Sequence, residues 1–314
     1  MKAISRINFQ KVKIHKIAGI IWVVIRFLLL IGLSFMIVYP VFVKFVTSVK
    51  SASDLADASI VFLPKNFNFN SYKIVFKAVE YPLTFLKTIA YTSMTSALQV
   101  CSCMLAAYGL ARFQFKGRQL IFAATLFTLI VPPQTMMLPL YMRFKYFSIF
   151  NLFQYTGHLS GMDLTAGGFP FPLVMLSVTA VAFKNGLYIF MLRQYYKNMP
   201  VVLEEAAYID GCGPFKTFFK IMLPGSLPMI VTIFLFSFVW QWNDTFYVQT
   251  LAPKLPTLVN KMFNMSFNIG TGSEILDKFL DSPKFFLLVT PLIILYIFAQ
   301  RFFTQSIEKS GIVG

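Results

Sequence analysis

Charge is scarce in this chain, and acid scarcest of all. Of 314 residues, 12 are Asp or Glu against 28 Lys or Arg, and 13% are charged in total. A soluble globular protein carries about a quarter charged residues, so a single aqueous core under a charged surface is excluded. Cysteine is equally sparse. Cys101 and Cys103 lie two apart in an apolar run, where a helix points them to different sides, and Cys212 sits in a polar stretch. No metal-ligand spacing appears, and an odd count gives no disulfide framework; three inert thiols are the plain interpretation. The phosphate-binding pattern G-x-x-x-x-G-K-[ST] is missing, which excludes nucleotide hydrolysis by that route. Paired carboxylates and histidine clusters are also missing, and an enzyme acting on lipid or glycan would need one of them. His158 and Asp163 are too exposed and too far apart in sequence to serve as a metal or catalytic pair.

What the chain has instead is apolar length. It is 57% hydrophobic with a mean hydropathy of +0.68, and a polytopic membrane protein follows. The net charge of +16 is spread along the chain between apolar runs. That distribution fits anionic headgroups and topology signals rather than nucleic acid. The basic start, Lys2 to Lys16, precedes an apolar segment from Ile17 to Val46. The segment is far longer than the roughly 7–15 residues of a signal-peptide core and lacks a small-x-small cleavage site, so it is expected to be a retained first span.

Six spans of an all-α fold are expected, at about 20–45, 82–112, 119–142, 171–192, 225–245 and 285–303. Each is long enough, or nearly so, to cross roughly 30 Å of hydrocarbon at 1.5 Å per residue. Lys2, Arg6, Lys11, Lys13 and Lys16, and then Arg112, Lys116 and Arg118, carry no acid among them and place the N-terminus and the second loop inside. Both termini and the loop from Arg193 to Pro224 are then cytoplasmic. Pro132, Pro133 and Pro139 should kink the third span. Irregular backbone is tolerated where it lines a pathway; a kink packed on a neighbour serves equally.

The loop 193–224 is a polar island. Asn198 can cap a helix begun at Pro200; Val201–Asp210 runs as a short helix that stops at Gly211. Pro214 restarts the chain as a second helix through Lys220, and Pro224 ends it. Val202, Ala206 and Ile209 share one face, and Glu204 and Glu205 present charge to a basic partner. An amphipathic helix lying on the membrane surface would have the same pattern.

Glu205-Ala206-Ala207, three residues, Gly211, nine residues, then Ile221-x-Leu223-Pro224 resembles the signature of permease subunits of bacterial ABC importers. The segment from Ala106 to Arg118, Val131-Pro132-Pro133 through Tyr141, Leu192 to Tyr196 and Gln300 to Phe303 extend the likeness over most of the chain. Together they are similar to the carbohydrate branch, in particular the smaller permease of maltose-type transporters. The resemblance implies a type I importer permease fold in the bacterial cytoplasmic membrane. It implies a heterodimer with a second permease, two cytoplasmic ATPase subunits and an extracytoplasmic solute-binding protein. ATP and Mg would be used by the ATPase subunits, this chain holding no cofactor of its own. Glu205, Ala206, Ala207, Asp210, Gly211, Ile221, Leu223 and Pro224 would dock the island in an ATPase groove. Residues 1–81 then comprise tail, first span and external loop; 82–305 the core permease with its coupling loop; and 306–314 a cytoplasmic tail. The tail departs from the family's Gly-x-x-Lys-Gly-like ending, its lysine standing at Lys309, and the loop at 150–172 is longer than usual.

Ion-coupled transporters use acids within the membrane. None lies inside a span here, Asp244 standing at the end of the fifth, so energy must come from a partner. Lys184, about nine residues or roughly 13 Å from Arg193 on a helix, falls near mid-membrane. There it could meet sugar hydroxyls or the carboxylate of an acidic glycan, or else pair with a partner permease or snorkel. Beside it stands Asn185. Trp240, Gln241 and Asn243 at the end of span five are further pathway candidates, since rings stack on sugar faces and amides bond hydroxyls; Trp240 also suits an interface belt. Alternatives are a permease of this architecture for a peptide or amino acid, an integral-membrane enzyme, or a scaffold.

Overall fold

The computed structural model describes residues 2–57, 59–60, 62–145, 148–149, 153–154, 170–268 and 274–311. Long apolar runs become helices because, in hydrocarbon, every backbone N–H and C=O has to be satisfied within its own segment. In order these are α1 (Lys2–Ser48), α2 (Ala52–Ala56), α3 (Asn70–Ala78), α4 (Tyr81–Arg112), α5 (Arg118–Ile130) and α6 (Pro133–Lys145). After a two-residue antiparallel ladder, Ser148–Ile149 with Phe153–Gln154, come α7 (Phe171–Val178), α8 (Asn185–Asn198), α9 (Val202–Ile209) and α10 (Pro214–Thr217). A π-helical turn, Phe218–Met222, leads into α11 (Leu223–Gly225), α12 (Leu227–Trp242), α13 (Phe246–Leu251), α14 (Leu258–Asn268) and α15 (Glu274–Gly311).

Among the described residues three helices are long and apolar enough to cross a membrane: Gly19–Ser48, Tyr81–Arg112 and Phe279–Gln300. Counting each of two bent pairs as one span gives up to five. One is α5 with α6, turned by 107° at Val131–Pro132, where the prolines withhold a donor. The other joins Pro214–Gly225 to α12 at 78°. The expected fourth span is two short helices, α7 and α8, and neither alone crosses. Between them Ala180 (φ 56°) and Lys184 (φ 69°) adopt left-handed backbone, which stops the helix without any glycine. Most of the loop expected at 150–172, with His158 and Asp163, lies outside the described residues, as do 312–314 of the tail.

The chain divides into two compact units. In the first, Met1–Val75 with Thr271–Phe286, residues 19–45 of α1 are exposed throughout. The segment after α1 is pinned by buried polar groups. Asp54 accepts the Asn66 N–H at 2.9 Å, which holds its carboxyl below the usual carboxylate range, and Tyr72 donates to Ser48 Oγ at 2.9 Å.

The second unit is built on α4, which packs against α7, α8 and α12. Its N-terminal half buries a stripe of hydroxyls rather than an apolar stripe. Thr88 donates to the Thr84 carbonyl at 2.7 Å and Thr95 to that of Tyr91 at 2.9 Å, so each is satisfied within the helix. The C-terminal half is apolar: Val100, Cys103, Met104 and Ala107 pack with Tyr188 and Leu192 of α8 and Ile233 of α12. α5 lies close on α8 because Gly186 has no side chain; a Cβ there would meet Thr128 Oγ1 at 2.6 Å and the Thr125 carbonyl at 2.7 Å.

Candidate functional site

Two places in the second unit gather the polar groups that an apolar chain would otherwise avoid. The first is the island after α8. Met199, held extended ahead of Pro200, ends α8, so α9 starts at Val202 rather than at Pro200. Asn198 is the last residue of α8, and α9 has no side-chain cap, which corrects the expected role of Asn198. The other end closes as anticipated from Gly211, which has φ 76°. Cys212 N–H donates to the Ala207 carbonyl at 2.8 Å and Gly211 N–H to that of Tyr208 at 3.0 Å. These are the two bonds of a Schellman motif. Pro224 does not end the second helix. The chain widens into the π-helical turn, with Leu223 N–H bonding the Phe218 carbonyl, and turns only at Ser226, before α12. Phe218 of that turn is buried against Tyr108 and Tyr196, with ring centroids at 4.9 and 6.5 Å.

α9 is amphipathic the wrong way round for a free-standing helix. Its buried residues are Glu204 and Ala207. Glu205, Ala206 and Asp210 are exposed, as is Gly211; Val202 is 68% and Ile209 86% exposed. Ile221 and Leu223 are half-buried and Pro224 exposed. Glu204, expected to offer its charge to a partner, is consumed internally: its Oε1 stands 2.7 Å from Arg112 Nε at the end of α4. Removing one member of a buried ion pair typically costs about 3–5 kcal/mol, because the other charge is left uncompensated. Glu205, about 100° further round the helix, keeps its carboxylate free of the bundle.

The second place is a cavity of about 320 Å³. Leu173 and Ser177 of α7, Phe183 from the α7–α8 break, Gln134 at the start of α6, Trp240, Gln241 and the run Asn243 to Tyr247 line it. Trp240, Gln241 and Asn243 therefore face one space. Lys184 does not stand inside a continuous helix. It is the residue before α8, with Nζ 4.5 Å from the centroid of the Phe183 ring and 4.6 Å from that of Trp240, two rings that line the cavity. A cation over two aromatic faces is held without a carboxylate. Asn185 is buried behind the wall, in contact with Gln99.

Gln99 and Gln134 escaped the sequence reading, and Asp244, noted there only as an acid at the end of span five, lines the cavity. Gln99 is the hub. Its Nε2 donates to the Phe183 carbonyl at 2.9 Å and to Asn185 Oδ1, and its Oε1 accepts from Ser237 at 2.5 Å and Gln241 at 3.2 Å. One amide thus stitches α4, the α7–α8 break and α12 together at the edge of the cavity. The available signal was an amide alone in the uncharged stretch Thr88–Ala111; a polar group inside a span must find partners or a cavity. Asp244 lines the cavity and accepts the Tyr247 N–H at 3.0 Å.

An almost wholly helical chain with several helices long and apolar enough to cross a membrane, a cavity in its second unit and a short helix with an exposed apolar face suits a membrane transport subunit. Residues 100–309 match the model of the binding-protein-dependent transport system inner membrane component, and the chain belongs to that family. This is a family of transport permeases, not of catalytic subunits. The arabinooligosaccharides transport system permease protein AraQ of Bacillus subtilis is 27% identical over 90% of this chain and 92% of its own length. The maltodextrin transport system permease protein MalD of Streptococcus pneumoniae is 24% identical, over 92% and 95%. The alpha-glucoside transport system permease protein AglG of Rhizobium meliloti is 27% identical over 80% of this chain and 62% of its own length. A solved bacterial ABC transporter involved in importing the acidic polysaccharide alginate shares the fold. Its TM-score is 0.70 at 19% identity, covering 90% of this chain and 96% of that one.

Proposed function

We propose that this chain is one permease of an ATP-driven importer that moves a sugar or oligosaccharide into the bacterial cytoplasm. It crosses the membrane six times with both termini inside. A second permease, two ATPase subunits and an extracytoplasmic binding protein complete the importer, and ATP with Mg is used by the ATPase subunits. The observation that carries this reading is the burial pattern of α9. A helix that hides its glutamate and exposes valine, alanine and isoleucine needs a protein surface to cover them. The pair Arg112–Glu204 sets α9 at the end of α4 that leads into Lys116 and Arg118, the basic side of the membrane.

ATP closes the ATPase subunits and draws the docking helices of both permeases together. The helices around the cavity change from inward- to outward-facing, the binding protein delivers its solute, and hydrolysis resets the system. This is a two-state element biased by a partner's ligand. The names of the relatives and the cavity wall together favour carbohydrate: Trp240, Phe183 and Tyr247 offer ring faces, and Gln134, Gln241, Asn243 and Asp244 offer hydrogen bonds. Lys184 adds a cation for hydroxyls or for the carboxylate of an acidic sugar.

The test is uptake of labelled neutral and uronate-containing oligosaccharides by the reconstituted importer. ATP-dependent uptake of at least one, and a roughly tenfold lower rate or a narrowed substrate range for Lys184→Met, are expected. Unchanged rate and range in that variant would remove Lys184 from the pathway. Uptake confined to peptides or amino acids would replace the carbohydrate assignment.

A further inference from the structure

Two arginines close on each other's helices at the α9 end of the second unit. Arg112 Nη2, at the end of α4, donates at 2.8 Å to the carbonyl of Met199, the residue that ends α8. Arg193 Nε, in the later turns of α8, donates at 3.1 Å to the carbonyl of Leu110 near the end of α4. The last carbonyls of a helix have no partner within it and carry the negative end of its dipole, so a guanidinium from a neighbouring helix answers both needs. Arg193 also lies over the Phe122 ring of α5, 3.7 Å from its centroid. Arg112 has one more tie, to Glu204 of α9 at 2.7 Å; the two side chains are only 11% and 6% exposed. Glu204 and Ala207 are the residues by which α9 is buried, so Glu204 is its charged anchor to the bundle.

We propose that Arg112 and Glu204 are positioning residues for energy coupling. The crossed arginines lock α4 and α8 into one lever, and Glu204 fixes the docking helix to its end. The opposite arm of the lever carries Gln99 of α4 bonded to Asn185 at the start of α8, beside the cavity. Between Gln99 and Arg112 lie thirteen helical steps, roughly 20 Å. A displacement of α9 then reaches the cavity as a joint movement of α4 and α8, not as a local adjustment of the loop. This rests on α9 being the surface that an ATPase subunit moves.

The test uses the complete importer in proteoliposomes, with its quantity measured after reconstitution. Import and ATP hydrolysis are followed for Arg112→Gln, for Glu204→Gln and for the swap Arg112→Glu with Glu204→Arg. Each single change is expected to lower substrate imported per ATP by roughly tenfold while hydrolysis continues, and the swap to restore at least about half of the ratio. If Arg112→Gln fails to insert, Glu204→Gln, which preserves size and shape, carries the test. A purely structural pair would lower the amount reconstituted and scale import and hydrolysis down together, leaving the ratio unchanged; that result overturns the proposal. So does a lowered ratio that the swap fails to restore. Absence of ATP-driven uptake by the unaltered importer would instead remove the assignment of α9, and so stands apart from both.

Discussion

Gly211→Pro is expected to abolish ATP-driven import while leaving the chain in the membrane. Gly211 sits at φ 76°, and proline is confined to about −65°, so the backbone cannot keep its course. The substitution also deletes the N–H that bonds the Tyr208 carbonyl, one of the two bonds closing α9. The turn that closes the eight-residue α9 therefore has to rearrange. Ile209, the most exposed apolar side chain of α9, would move with it. No span passes through this turn, so insertion should be normal. Glu205→Lys is expected to act alike by a different route, reversing a charge on the docking face. The check is the ratio of import to ATP hydrolysis in membranes matched for permease content. Normal import by both variants would refute the coupling role of the island.

Gln99→Leu should reduce import by more than about tenfold, for a reason that lies in the membrane rather than at its surface. The leucine fits the volume but makes none of the bonds. Asn185 Oδ1, Ser237 Oγ and Gln241 Nε2 lose their partner at once. Each buried polar group left unsatisfied costs about 1–3 kcal/mol. The α7–α8 break loses its tie through the Phe183 carbonyl as well. That break carries Lys184 and Phe183, so the wall of the cavity loosens where the solute would pass. Transport in proteoliposomes and thermal stability of the purified protein should fall together. Gln99→Glu, which keeps the acceptor but not the donor, should be intermediate. A Gln99→Leu importer with normal rate and stability would show that the hub is incidental.

The features legible in the sequence were those carried by local chemistry. Apolar length marked α1, α4 and the apolar part of α15, and Pro132–Pro133 marked the bend between α5 and α6. The glycine after Asp210 marked the end of α9, because few residues but glycine sit comfortably at positive φ. What stayed hidden depends on contacts between distant residues. The fourth span breaks at Ala180 and Lys184, and neither is a residue type that announces a left-handed turn. Gln99 gains its meaning from partners 84 to 142 residues away. Glu204 and Glu205 are neighbours of identical local propensity. Only the rotation of α9 against Arg112 decides that one is buried and the other exposed. The same rotation turns Ala206 outward and Ala207 inward, so a motif that reads as a unit serves two surfaces.

The central claim is that the exposed face of α9 is covered by an ATPase subunit on the cytoplasmic side. A photocrosslinking residue in place of Ile209, in the intact importer within its own membrane, tests it most directly. A crosslink to the ATPase subunit, changed in yield by ATP, is the predicted result. Crosslinks only to lipid, or to the extracytoplasmic binding protein, would contradict it.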